Sequence, residues 1–162
     1  MGEFGVSMSK KADQDLQVIV RGMTPNERPV WEQLWNGYLS FYETELPAEI
    51  KDLTWARLHS PDEPMYLLAA SMGERVVGIV HYLFHRSCWT AGNYCYLQDL
   101  FVDVSARGQG IGRILIRAVE DAARAAGASR IYWLTKEDNH EARVLYDKVA
   151  ERSGFIQYRK LF

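Results

Sequence analysis

The sequence predicts an α+β domain: a mixed central sheet, antiparallel in its N-terminal half and parallel in its C-terminal half, with helices on both faces. Three observations predict it. Val30, Trp31, Leu34, Trp35, Tyr38, Leu39 and Tyr42 recur near the helical period and form one apolar stripe. Met65 to Ser71 and Arg75 to His85 are strand-like runs joined by Met72-Gly73-Glu74, a hairpin turn. Tyr96 to Val104 leads through a glycine-rich turn into the helical pattern Ile111 to Ala126 and then into Arg130 to Thr135. A strand–helix–strand unit of that length implies a parallel pair joined by a crossover.

Each element has a local cause. Residues 1–15 are polar and glycine-bearing and are expected to be a flexible tail, with the domain running from 16 to 162. Leu16 to Arg21 alternates and opens the sheet. Thr24 is placed to cap a helix, with Pro25 at the first helical position and Glu27 three residues on; the pattern carries that helix to about Thr44. Pro47 begins a short second helix to about His59, and Pro61 to Pro64 turns the chain into the hairpin. Cys88 to Gly92 is the next turn. In the helix after the glycine loop, Ile111, Leu115, Ala118, Val119, Ala122 and Ala126 face the core, Glu120 and Arg124 pair outside it, and Gly127 stops it. Asp138 caps the last helix with Glu141 three residues on, and Ala142, Leu145, Tyr146 and Val149 form its buried face. Gly154 ends the connection, and Phe155 to Leu161 is expected to be a final strand. The chain shows no internal repeat, low-complexity stretch or linker.

Composition excludes several classes. The 162 residues suit one domain with one sizeable core, and a net charge of -2 argues against a nucleic-acid binder. No apolar run reaches membrane-spanning length, so no membrane partner is expected. Cys88 and Cys95 are too few for a disulfide framework and form no C-x-x-C pair, which points to a reducing cytoplasm. His81 and His85 share one face of a strand about 13 Å apart, too far to bind one metal ion directly. They read as strand histidines, and no metal is expected.

The chemistry centres on Arg107-Gly108-Gln109-Gly110-Ile111-Gly112. A strand that turns through glycines into a helix leaves backbone N–H groups unpaired at the helix start, a site for phosphate. A P-loop would need Lys and Ser or Thr after the last glycine, where Arg113 and Ile114 stand. A dinucleotide fingerprint would need a different third glycine spacing and an acidic residue after the next strand, where Trp133-Leu134-Thr135 stand. The segment instead resembles the coenzyme-A loop of the GCN5-related N-acetyltransferases (GNAT), Arg/Gln-x-x-Gly-x-Gly/Ala, through Arg107, Gly110 and Gly112. Asn139-x-x-Ala142-x-x-Leu145-Tyr146 followed by Gly154-Phe155 looks like the second signature of the same family. The resemblance runs from about Leu16 to Phe162. Tyr96 to Val102, and Tyr132 to Thr135 through Leu145-Tyr146, are most similar to the branch of polyamine, diamine, yeast histone and D-amino-acid acetyltransferases.

The resemblance implies acetyl-CoA as cosubstrate. Arg107, Gly108, Gln109, Gly110, Ile111 and Gly112 would hold its diphosphate, and Arg113 either meets a further phosphate or is a solvated helix arginine. Leu100, Phe101 and Val102 would pair their backbone with the pantetheine arm, which Asn139 also contacts, and a backbone N–H there would polarise the acetyl carbonyl. Tyr146 would be the general acid at the departing sulfur.

The base is open. An alkyl amine has a pKa of about 10.4, so roughly one molecule in a thousand is neutral at pH 7. Some relatives carry glutamate where this chain has Gln98, and an amide cannot take a proton. Asp99 is adjacent, but strand alternation points it to the opposite face unless a bulge intervenes. The expectation is that water ordered by Gln98 removes the proton while Asp99 attracts the ammonium; the competing role for Asp99 is to cap a backbone group. Tyr38 and Tyr42 suit a cationic amine pocket or, equally, the rim of the core. The expected activity is acetyl transfer to the primary amine of a polyamine, diamine or amino acid by direct attack. A protein lysine or N-terminus is the alternative acceptor. A non-catalytic acyl-CoA-binding regulator is the rival class, disfavoured because Tyr146 is present. A homodimer is expected, through the last strand or the Trp31/Trp35 face.

Overall fold

The computed structural model describes residues 17–162; the expected tail 1–15 and Leu16 lie outside the described residues. Five strands, β1 (Val18–Arg21), β2 (Met65–Met72), β3 (Arg75–His85), β4 (Tyr94–Val102) and β5 (Arg130–Tyr132), form one sheet in sequence order. Pairing is antiparallel from β1 to β4, and β5 runs parallel to β4. This is the mixed sheet read from the sequence. Its helices are α1 (Arg28–Phe41), α2 (Ala48–Leu58), α3 (Ile111–Ala125) and α4 (His140–Val149).

Two apolar clusters hold the layers together. On one face Trp31, Leu34, Trp35 and Leu39 of α1 and Trp55 of α2 pack against Leu67, Ala69 and Ile79. On the other, Ile111, Leu115, Ile116, Val119 and Ala123 of α3 pack against Ala70, Val77, Val80 and Leu97. Burial of these large side chains, at about 1.5–3 kcal/mol each, fixes both helical layers to the sheet. Gly37 matters to the first layer: a Cβ there would lie 2.6 Å from Cζ of Phe101, so any larger residue would displace that ring.

Several expected boundaries are corrected. The first helix begins as a single 3-10 turn, Pro25–Glu27, and α1 ends at Phe41 rather than Thr44. Glu43 takes a left-handed φ of 52° and the Thr44 N–H bonds back to the Leu39 carbonyl, which closes the helix. On α3, Ala126 is exposed, whereas Ile116 and Ala123 are buried: the buried stripe is turned slightly from the one expected. β5 stops at Tyr132 instead of Thr135. Asn139, not Asp138, caps α4, because its side-chain carbonyl accepts the Ala142 N–H three residues on. Val149 at the end of α4 is exposed.

The largest correction is the last strand. Residues 151–162 form no strand, and Phe155, Ile156, Tyr158, Leu161 and Phe162 are all exposed. Alternating apolar residues make a strand only where they pair with an edge, and this segment pairs with none, although β5 is the last strand of the sheet and is paired on one side only.

The start of α1 supports a stability prediction. Glu27 accepts the Thr24 N–H at 2.8 Å and is gripped by Arg21 at 2.6 and 2.9 Å. The Arg21 hydrogen bond and then that of Thr24 lower the Glu27 pKa from 4.5 to about 2. A depressed carboxyl pKa stabilises the fold above the unfolded value, and that contribution is lost as pH falls from 4.5 through about 2. Glu27→Gln is therefore expected to cost about 1 kcal/mol, or about 3 °C in Tm, at neutral pH. The gap should close toward pH 2 in thermal melts over a pH series.

Candidate active site

β4 is irregular where it matters. Its register to β3 pairs His81 with Asp99 and then Tyr82 with Leu97, so Gln98 is an extra, unpaired residue. This is a β-bulge, and it resets the alternation. Leu97 and Leu100 therefore both pack toward α3, while Phe101 packs toward α1. Asp99 thereby shares the α1 face with His81, and Gln98 is left exposed.

β5 pairs only with Tyr94, Cys95 and Tyr96 of β4. Beyond Tyr96, the β5-side edge of β4 is not covered by a strand. A groove of about 580 Å³ opens there, between that edge, the start of α3 and the face of α4. Leu100, Phe101 and Val102 line it along the strand.

Gly108, Gly110, Ile111, Gly112 and Arg113 line the far end of the groove, and Gln109 does not. Gly108 and Gly110 hold left-handed φ angles of 76° and 78°, and a Cβ on either would meet nothing within 4 Å. The loop is thus open on its outer side, and its conformation requires glycine. The first N–H to bond back at this end is that of Ile114, to the Gly110 carbonyl at 3.1 Å. The N–H groups of Ile111, Gly112 and Arg113 precede it and have no acceptor within the helix. Gly112 has a packing reason as well: a Cβ there would lie 3.2 Å from the Leu145 side chain.

Arg107 is engaged within the protein. Its Nε donates to the Val102 carbonyl at 3.2 Å, and its guanidinium lies 5.7 Å from the Phe101 ring centre and 4.0 Å from the Glu141 carboxylate. It braces the loop against the end of β4 while its charge stays beside the groove.

Tyr38, Tyr42 and Tyr146 line the near end of the groove and a small recess beside it, which Gln98, Trp133 and Leu134 complete. The Tyr146 ring meets Trp133 edge-on at 5.4 Å. Burial, followed by the nearby Tyr42, pushes its pKa up to about 12. Burial and then Asp99 push Tyr38 well above the usual phenol range. Asn139 donates from Nδ2 to Thr135 Oγ1 at 3.2 Å and caps α4 with its oxygen, so part of its hydrogen-bonding capacity is spent inside the protein.

Asp99 is not at the groove wall. Only 12% of its side chain is exposed, and its Oδ2 lies 3.1 Å from His81 Nδ1. Sequence reasoning read His81 only as a strand histidine and Trp31 only as part of the apolar stripe, and did not foresee that the Trp31 indole N–H donates to His81 Nε2 at 2.9 Å. A histidine within an apolar strand was the available signal. It also missed Gly37, marked only by being a glycine inside a helix. Among the described residues, no group of three or more His, Cys, Asp or Glu could hold a metal ion, and no helix is long and apolar enough to cross a membrane.

Comparison with known proteins follows the same lines. Residues 30–150 match the model of the Acetyltransferase (GNAT) family. A D-amino-acid N-acetyltransferase of Saccharomyces cerevisiae is 33% identical over 146 residues, covering 89% of this chain and 91% of that protein. A thialysine N-epsilon-acetyltransferase of Mus musculus is 35% identical over 94 residues, 55% of each chain. Among solved structures, a ribosomal-protein-alanine N-acetyltransferase from Brucella melitensis superposes with a TM-score of 0.76 at 20% identity, covering 90% of this chain and 100% of that one. At that identity the likeness concerns the fold.

Proposed function

Since the chain belongs to the GNAT acetyltransferase family and is an acetyl-CoA-dependent N-acetyltransferase, we propose that it acetylates the primary amine of a small molecule, a polyamine, diamine or amino acid, by direct attack. The observation that carries this reading is the single groove that runs from the α3 amides, along the uncovered edge of β4, to Tyr146. The yeast and mouse relatives, named for D-amino acids and thialysine, support a small acceptor.

The cosubstrate supplies an activated acetyl thioester. The Ile111, Gly112 and Arg113 amides meet its diphosphate, as the open glycine loop permits. The backbone of Leu100 to Val102 offers hydrogen bonds to its extended arm and to the carbonyl on which charge develops. Asn139 contacts the arm with its remaining N–H. Tyr146 is protonated at neutral pH and donates a hydrogen bond to the departing sulfur. Tyr38 and Tyr42 wall the acceptor side, where aromatic faces favour a cation. Asp99 attracts the ammonium, and Gln98, exposed at the bulge, orders the water that takes its proton. A reducing compartment and a homodimer belong to the same reading. The first is supported by the free, exposed Cys88, the second by the apolar segment Phe155 to Phe162; the alternative contact through Trp31 and Trp35 is corrected, since both rings are buried inside the domain.

The test is coenzyme-A release over a panel of a polyamine, a diamine, D- and L-amino acids and a lysine peptide, for the wild type and Asp99→Asn. Turnover on a free amine is expected, with the variant raising the KM for that amine at least tenfold, since a hydrogen-bonded charged contact contributes about 1.5–3 kcal/mol. Turnover on the peptide alone would favour a protein acceptor. Acetyl-CoA binding without turnover on any amine would favour a regulator.

A further inference from the structure

We propose that His81 is a positioning residue for the acceptor amine, orienting the Asp99 carboxylate while Trp31 fixes the imidazole's tautomer. The inference rests on the reading of Asp99 as the ammonium's partner.

An indole N–H can only donate. The contact from Trp31 Nε1 to His81 Nε2 at 2.9 Å therefore requires a lone pair on Nε2 and puts the ring proton on Nδ1. Nδ1 lies 3.1 Å from Asp99 Oδ2, so the N–H donates to the carboxylate. The donor is held rigidly. Trp31 is fully buried, with Trp55 at 4.9 Å and Trp35 at 6.4 Å between ring centres. Trp35 also packs edge-on against the His81 ring at 4.9 Å. The imidazole cannot turn over without breaking this packing.

The arrangement exists because of the bulge. Without the extra residue Gln98, Asp99 would point toward α3, away from His81. Tyr38 approaches the same carboxylate from α1, and Tyr42 and Tyr96 stand near it. A carboxylate offers about four lone-pair positions. His81 takes one from the buried side, and the exposed 12% of the Asp99 side chain leaves room for an amine that enters past the mutually packed Tyr38 and Tyr42 rings. A chain of three groups, each restricting the next, aims a charge at a substrate that touches only the last of them.

The test compares His81→Asn with His81→Leu. Both remove the aromatic ring packed against Trp35, but the asparagine amide nitrogen stands where Nδ1 stood and can still donate to Asp99. We expect His81→Leu to raise amine KM about tenfold with acetyl-CoA KM unchanged. His81→Asn should restore amine KM to within about threefold of wild type. Equal amine KM values for the two variants would overturn the inference. Nitrogen NMR of the wild-type imidazole provides a readout independent of activity and of whether the leucine variant folds: a proton on Nδ1 and none on Nε2 is expected, and a proton on Nε2 refutes it. If Asp99→Asn impairs amine binding and His81→Leu does not, this inference alone fails. If Asp99→Asn has no effect, the reading of Asp99 beneath it fails.

Discussion

Tyr146→Phe should lower kcat by about a hundredfold and change acetyl-CoA KM by less than about twofold. The substitution removes one hydroxyl and keeps the ring, so the edge-on contact with Trp133 and the packing against the α3-side cluster survive. The effect then falls on the step in which charge develops on sulfur. The size follows from what the phenol can do. Its pKa of about 12 is well above the roughly 8.5 of an alkyl thiol, so full transfer of its proton to the thiolate is uphill by about 5 kcal/mol. Donation of a strong hydrogen bond to the leaving sulfur is the larger contribution, with the thiol's final proton coming from the attacking amine through solvent. Loss of such a donor typically costs two to three powers of ten in kcat. Steady-state kinetics on the best amine of the panel measures it. Unchanged kcat would remove Tyr146 from the chemistry, and a parallel rise in acetyl-CoA KM would make it a binding residue instead.

The glycine loop that forms the far end of the groove was legible in the sequence because its parts are local. A glycine at a left-handed position, an arginine before it and apolar residues at helical spacing after it sit within a few residues of one another, and each has its own short-range cause. The α4 cap was read one residue early, since Asp138 and Asn139 are both good caps and only the geometry of the turn selects the second. What the sequence did not reveal depends on register. Strand alternation cannot locate an inserted residue, so the side on which Asp99 lies followed only from the pairing of His81 with Asp99 and Tyr82 with Leu97. Trp31, His81 and Asp99 come from α1, β3 and β4, and nothing short of the packed sheet brings them together. The segment Phe155 to Leu161 fails for the opposite reason: its pattern is that of a strand, but a strand also needs a neighbour.

The second large effect is on pH dependence. With wild-type enzyme and a primary amine acceptor, kcat/KM should rise about tenfold per pH unit between pH 7 and 9, roughly a hundredfold in all, because only the neutral amine attacks and its fraction grows at that rate below a pKa of about 10.4. No descending limb should appear in that range. Tyr146 donates only while protonated, and burial moves its loss of the proton from the ordinary 10.0 to about 12, with Tyr38 higher still. The sign for stability is the same: both phenols keep their protons in the folded and unfolded states below pH 10. Above it the unfolded chain releases them first, so the fold is penalised only from there upward. Activity lost above pH 10 must therefore be checked against unfolding, whereas loss between 8 and 9.5 would have to come from the site. A bell-shaped profile with its falling limb near 9 would mean that the group donating to the sulfur is a stronger acid than the Tyr146 phenol. A flat profile would mean that a base in the site strips the ammonium ahead of attack; with Gln98 unable to accept a proton, that role would fall to Asp99.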